Sequence, residues 1–232
     1  MGAVLKAVSG KAYGAVAWVR NAVVVIFALS SSVFAEPVTI VALGDSLTAG
    51  YGLENQADGL VPQLQAWLRA RGADVVVQNA GVSGDTSAGG LARVDWALGP
   101  DVDALIVTLG GNDMLRGLDP AGTRASLEGI LRKAAEKKLP VLLVGMQAPG
   151  NFGPDYKATF DAMYPELAAK YGALLAGSFF DGLVAAGATA GDPASFAPFM
   201  QADGIHPNPE GVKLIVEGLG PKVLDLVAQV SG

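Results

Sequence analysis

The sequence predicts an α/β protein: a three-layer α/β/α sandwich built on a five-stranded parallel sheet. Three observations predict it. Short stretches that are apolar throughout alternate with longer stretches whose apolar residues recur at helical spacing. The short stretches show no in–out alternation, so they belong to strands covered on both faces, as in parallel sheets. Several of them end in Gly-rich turns, the punctuation that stops a strand. Right-handed crossovers between parallel strands then put helices on both sides of the sheet. At 232 residues and 51% apolar composition the chain can bury one sizeable core.

The first strand is Val38-Thr39-Ile40-Val41-Ala42-Leu43, closed by Gly44. After a polar, Gly-rich loop over 50–57, Leu60, Val61, Leu64, Trp67 and Leu68 mark a helix that ends at Arg71-Gly72. Val75-Val76-Val77 opens the second strand, and Thr86 to Leu98 reads as a helix with Leu91, Val94 and Leu98 on one face. The third strand is Ala104 to Leu109, followed by a helix from about Pro120 to Lys137. Pro140 to Met146 reads as the fourth strand, and a loop through Pro149 and Pro154 leads to a helix ending near Tyr171. Gly172 to Leu175 is a short fifth strand. The closing helix runs from Pro209 to Val230, with Val212, Ile215, Val216, Leu219, Val223, Leu226 and Val227 apolar. No repeat, charge run or low-complexity linker divides residues 36–232, which read as one domain.

Residues 1–35 read differently. Lys6, Lys11 and Arg20 are the only charges there. The apolar run Ala22–Leu29 precedes Ser30-Ser31-Ser32-Val33-Phe34-Ala35, which gives an export signal cleaved after Ala35, with Val at −3. The competing reading is an uncleaved anchor, but the run is far short of the ~20 apolar residues of a spanning helix. The long basic region leaves room for a start downstream of Met1. The expected location is the periplasm or the medium, with no stable membrane anchor after cleavage. Without residues 1–35 the chain holds 13 basic and 22 acidic residues, net −9, which argues against nucleic acid and against docking on anionic lipid. There is no cysteine, so disulfides, Cys-ligated zinc and a thiol nucleophile are all excluded. There is one histidine, His206, so a zinc site of several histidines is excluded and any imidazole base must be His206.

In a parallel sheet the loops after the strands share one edge, where ligands bind. Four segments at that edge carry chemistry: Gly44-Asp45-Ser46-Leu47, Asn79 to Thr86, Gly110-Gly111-Asn112-Asp113, and Asp203-Gly204-Ile205-His206-Pro207. Taken singly, each has an ordinary explanation as a turn or helix cap. Together they hold the parts that acyl transfer by serine requires: a nucleophile, a base, an acid to orient the base, and N–H donors for the oxyanion. Ser46 is the candidate nucleophile and His206 the base. Asp203, three residues before His206, can lie on the same side of a turn. The backbones of Ser46 and Gly84 and the side-chain amide of Asn112 are candidate oxyanion donors. A Gly-x-Ser-x-Gly elbow is ruled out by Thr48 at its last position, and no Gly-x-x-x-x-Gly-Lys loop is present to cradle phosphate.

In order, these four blocks resemble those of the GDSL, or SGNH, hydrolases. The stretches 44–52, 82–93, 109–117 and 203–208 resemble in particular the bacterial periplasmic thioesterase I/protease I/lysophospholipase group, which also includes arylesterases. The resemblance implies a flavodoxin-like sheet of order 2-1-3-4-5 and no metal or organic cofactor. It also implies Ser46, Asp203 and His206 as the catalytic residues and Ser46, Gly84 and Asn112 as the oxyanion hole. The expected activity is a serine esterase or thioesterase acting on small acyl esters or thioesters, as a monomer. A carbohydrate acetylesterase on the same scaffold and a non-catalytic binding protein are the alternatives. The loop 147–154 and the segment 178–199 match the group less well, and these would shape the acyl pocket. Met114, Leu115, Phe152 and Ile205 are its expected walls, with Leu118, Tyr156, Phe196 and Phe199 as further candidates.

Overall fold

β-Branched and leucine side chains dominate the strands, and the sheet they form is buried on both faces. A computed structural model describes Gly2 and residues 36–230; the expected signal segment and its cleavage point after Ala35 lie outside the described residues apart from Gly2. The strands are β1 (Val38–Gly44), β2 (Val75–Gly81), β3 (Ala104–Thr108), β4 (Val141–Val144) and β5 (Leu174–Ala176), all parallel, in the order β2-β1-β3-β4-β5. The expected order is therefore the observed one. At the centre, Ile40 of β1 lies in register between Val77 and Ala104, and Ile40, Leu43, Leu105, Val107, Leu142 and Leu143 are fully buried. Each such side chain contributes about 1.5–3 kcal/mol by leaving water.

Helices cover both faces. Helix α1 (Ser46–Ala49) is a single turn directly after β1, and α2 is Leu60–Arg69. Helix α3 is Ser87–Ala97, α4 is the short Gly111–Leu115, α5 is Pro120–Glu136 and α6 is Pro154–Tyr171. Two more short helices, α7 (Asp181–Ala185) and α8 (Pro193–Phe196), precede the long α9 (Pro209–Val230). α3 packs on α5 and α5 on α6, which makes one layer; α9 packs on α2 and α7, which makes the other. Local capping explains the starts. The Thr86 hydroxyl accepts from Gly89 N–H at α3, Asp119 caps α5 with Pro120 behind it, and Asn208 Oδ1 accepts from Gly211 N–H at α9.

Several strand boundaries differ from expectation: β3 ends at Thr108 and not Leu109, β4 is Val141–Val144 and not Pro140 to Met146, and β2 and β5 also shift. β2 continues through Asn79-Ala80-Gly81, because these residues stay in register with Ala42-Leu43-Gly44 of β1; the second chemical loop therefore begins only at Val82. β5 is Leu174–Ala176, one residue beyond the apolar stretch, because Ala176 O accepts from Gly145 N–H at the end of β4. β2 is an edge strand, and its free side is occupied: Gln65 Oε1 accepts from Val77 N–H at 2.8 Å, and Arg69 Nε donates to Val75 O at 3.0 Å. Those bonds remove two backbone groups that would otherwise invite strand addition.

Candidate active site

The carboxyl edge of the sheet carries the site. β1 ends at Gly44, the chain turns through Asp45, and Ser46 becomes the first residue of α1. Asp45 is the cap: its Oδ1 accepts from Leu47 N–H at 3.0 Å. The cap is also buried, at 1% exposure, and burial pushes its carboxyl up to about 6, against the opposing bonds from Leu47 N–H and Asn112. The turn is held from outside by Arg93 of α3. Its Nη2 donates to Gly44 O, its Nη1 to Ala80 O, both at 2.8 Å, and its Nε to Asp85 Oδ2 at 2.6 Å. One guanidinium thus fixes the ends of β1 and β2 and the loop that contains Gly84.

Asn112 sits on α4, where Gly110 begins the helix. Gly110 has φ +108°, and a Cβ there would lie 2.2 Å from the Tyr164 hydroxyl, so only glycine fits. Asn112 Nδ2 donates to Asp85 O at 2.9 Å and reaches Asp45 Oδ2 at 3.3 Å. The next residue anchors the helix: buried Asp113 accepts from Ser87 N–H at 2.8 Å and Ser87 Oγ at 2.6 Å, and from Thr123 Oγ1 at 3.2 Å. Arg116 closes the arrangement by donating from Nη2 to Gly84 O at 2.8 Å.

The last segment returns from the far end of the chain. Met200 and Pro207 form an isolated antiparallel bridge, and Gln201 N–H donates to His206 O at 2.8 Å. Asp203 Oδ1 accepts from Ile205 N–H at 2.9 Å and His206 N–H at 3.0 Å; Oδ2 lies 2.7 Å from His206 Nδ1. The His206 side-chain bond first, and then the two backbone bonds, hold the Asp203 carboxyl down to about 2. An ionised Asp203 can only accept, so Nδ1 carries the proton, and Nε2 is left to accept from the Ser46 hydroxyl at 2.8 Å. A continuous Ser46–His206–Asp203 chain results from residues 160 and 3 positions apart in sequence.

Asp45, Ser46, Gly84, Asn112, Asp203 and His206 all face one cavity of about 800 Å³. Of the expected walls, Met114, Leu115 and Ile205 line it, as does Phe196. Phe152 does not: it lies over Gly117 and packs on Tyr156 of α6, with ring centroids 5.1 Å apart and planes tilted by 44°. Leu118, Tyr156 and Phe199 also lie off the lining. Three walls were not named from the sequence: Met146 after β4, and Phe180 and Val184 at the start of and within α7, inside the segment 178–199 expected to shape the pocket. Nothing in a sequence marks which apolar residues of a short segment turn toward the cavity. Arg93 was equally hidden, because its acceptors are 13 and 49 residues away. Among the described residues no cluster of three His, Asp or Glu side chains offers a metal site. Chemically, the arrangement can activate a hydroxyl beside N–H donors at the mouth of an apolar cavity.

Known proteins share this chain's pattern. Residues 42–214 match the model of the GDSL-like Lipase/Acylhydrolase family. Esterase TesA of Pseudomonas aeruginosa is 40% identical over 190 residues, 82% of this chain and 89% of that protein. Thioesterase 1/protease 1/lysophospholipase L1 of Escherichia coli K12 is 33% identical over 190 residues, 82% of this chain and 85% of that protein. The crystal structure of AlinE4, an SGNH-hydrolase family esterase, superposes with a TM-score of 0.66 at 42% identity, covering 82% of this chain and 97% of that one. The chain belongs to the GDSL-like lipase/acylhydrolase family. Its class is accordingly that of the serine hydrolases that cleave ester and thioester bonds.

Proposed function

We propose that the protein is an exported, single-chain acyl-ester and acyl-thioester hydrolase that works through an acyl-enzyme on Ser46. The observation that carries this reading is the 2.8 and 2.7 Å chain from Ser46 through His206 to Asp203 at the mouth of an apolar cavity. His206 Nε2 takes the Ser46 proton as Oγ attacks the carbonyl carbon. Negative charge develops on the carbonyl oxygen among Ser46 N–H, Gly84 N–H and Asn112 Nδ2. Each such donor is worth about 10²–10³ in rate. His206 then gives its proton to the leaving alcohol or thiol, and water, activated by the same imidazole, releases the acid.

Support for an acyl chain as substrate comes from the cavity walls: Met146, Phe180, Val184 and Phe196 offer little to a sugar and much to an alkyl group. The relatives named as an esterase and as a thioesterase and lysophospholipase bracket the same substrate range. Export rests on the signal-like segment ending at Ala35; among the described residues no helix is long and apolar enough to cross a membrane. Every group of the site comes from one chain, which is why a monomer suffices. The deciding experiment is a chain-length series of 4-nitrophenyl esters and acyl-CoA thioesters, with a lysophospholipid beside them. Turnover should rise from acetate to medium-chain esters. Acetate alone being hydrolysed would favour a carbohydrate acetylesterase and overturn the acyl-chain assignment. N-terminal sequencing of the exported protein should begin at Glu36.

A further inference from the structure

One aromatic side chain at the site has no part in the steps above. The Tyr51 ring lies with its centroid 4.7 Å from that of His206, the planes tilted by 44°. It lines the cavity and yet is 54% exposed, so core packing does not account for it. Its backbone is tied to both halves of the site: Tyr51 N–H donates to Ser46 O at 3.1 Å, and Tyr51 O accepts from Gln201 Nε2 at 2.9 Å. Gln201 Nε2 also donates to Pro207 O at 3.0 Å, next to His206. The clamp closes only because residue 52 is glycine; a Cβ there would lie 2.2 Å from Gln201 Oε1. A residue bolted between nucleophile and base, with its ring against the base, is placed to act on whatever the base protonates.

We propose that Tyr51 is a positioning and specificity residue for the leaving group: its ring backs His206 and forms the wall along which the departing alcohol or thiol runs. This rests on the reading of Ser46 as nucleophile and His206 as general acid. His206 Nε2, 2.8 Å from Ser46 Oγ, must reach the leaving atom, so the group attached to that atom starts within hydrogen-bond reach of the imidazole. The side chain already against that imidazole is Tyr51. The acyl chain is left the walls supplied by Met146 after β4 and by Phe180 and Val184 at α7. A planar leaving group can stack on the Tyr51 ring, whereas a short alkyl group gains little there. Edge-to-face and stacked aromatic pairs are worth about three- to ten-fold in an equilibrium constant. Among the described residues Tyr51 is held through its backbone N–H and C=O and not through its hydroxyl, so the ring is the part assigned the role.

The test compares two leaving groups on one acyl group: kcat/KM for 4-nitrophenyl butyrate and for ethyl butyrate, in wild type, Tyr51→Leu and Tyr51→Phe. The expected result is that Tyr51→Leu lowers the aryl-to-alkyl ratio about three- to ten-fold, and that Tyr51→Phe restores the ratio. The preference between 4-nitrophenyl butyrate and octanoate should stay that of wild type in both variants. An equal loss on both butyrates, a ratio that Phe does not restore, or a changed chain-length preference would overturn the assignment. Melting temperature reports folding, and Tyr51→Met is the second truncation if Tyr51→Leu does not fold. Labelling of Ser46 by an alkyl phosphonate separates the two failures. A wild type that labels at Ser46 but shows no ratio change on substitution sinks the Tyr51 assignment alone. A wild type that labels elsewhere sinks the nucleophile reading on which it rests.

Discussion

Asp45→Asn should gain stability relative to wild type as the pH rises toward neutral and be a poorer enzyme, and the size of the first effect follows from the structure. Asp45 is buried, and burial raises its carboxyl from 3.8 to about 6. The sign runs as for any raised group. Below about pH 4 both folded and unfolded chains hold the proton, and the folded state keeps its full stability. As the pH rises through about 6 the folded chain must ionise a buried carboxyl that the unfolded chain ionised earlier, and stability is lost. The gap between 3.8 and about 6 corresponds to about 3 kcal/mol. Asparagine is neutral throughout and keeps the cap on Leu47 N–H, so it escapes that loss. Its own packing cost is independent of pH, so the readout is how the difference between variant and wild type changes. Chemical denaturation between about pH 4 and 8 should show the variant gaining about 2–3 kcal/mol on wild type across the window, or about 4–12 °C in melting temperature for a domain of this size. Turnover should fall, because Asn112 Nδ2 then faces a second amide where it now meets Asp45 Oδ2. A difference that stays flat across the window, or full activity in the variant, would refute the reasoning.

Two other substitutions probe the neighbouring parts. Asn112→Ala should lower kcat by about 10²–10³ with little change in KM, since the lost N–H serves the oxyanion and not the bound ester; an equal rise in KM with kcat intact would contradict that role. Asp203→Asn should lower turnover by about 10³–10⁴ by favouring the wrong imidazole tautomer. Because the Asp203 carboxyl is held down to about 2, its stabilising effect is present above about pH 4 and lost as the pH falls through about 2. Thermal melts of wild type and Asp203→Asn should therefore differ by a constant amount at mild pH and converge in strong acid. A gap that persists at about pH 2 would refute the assignment of that bond as the source.

The sheet and the ends of the long helices were legible because their signals are local. Strands with every residue buried, such as Ala104–Thr108, admit only a fully covered sheet. Short helices were not legible: α4, α7 and α8 are four or five residues long, too short for a period to show. The Ser46, His206 and Asp203 set was legible because histidine occurs once, Ser46 follows a strand end, Asp203 lies three residues before His206, and the blocks resemble those of a known hydrolase family. What holds that set was not. Arg93 reaches Gly44 O, Arg116 reaches Gly84 O and Gln201 reaches Tyr51 O, over 49, 32 and 150 residues. Such bonds run from a side chain to a distant backbone carbonyl, and the acceptor residue can be any type. Phe152 shows the converse: it is the right residue type in the right loop, but it packs on Tyr156 in the first turn of α6 and lies off the cavity lining.

The central claim is that the Ser46 hydroxyl, activated by His206, carries the acyl group. Incubation with an alkyl phosphonate followed by intact-mass and peptide mapping tests it most directly. The account predicts one adduct per chain, on the peptide containing Ser46, with activity lost in step; it predicts none in Ser46→Ala and strongly slowed labelling in His206→Ala. An adduct on another residue, or hydrolysis of 4-nitrophenyl butyrate that continues in a folded Ser46→Ala protein, would contradict it.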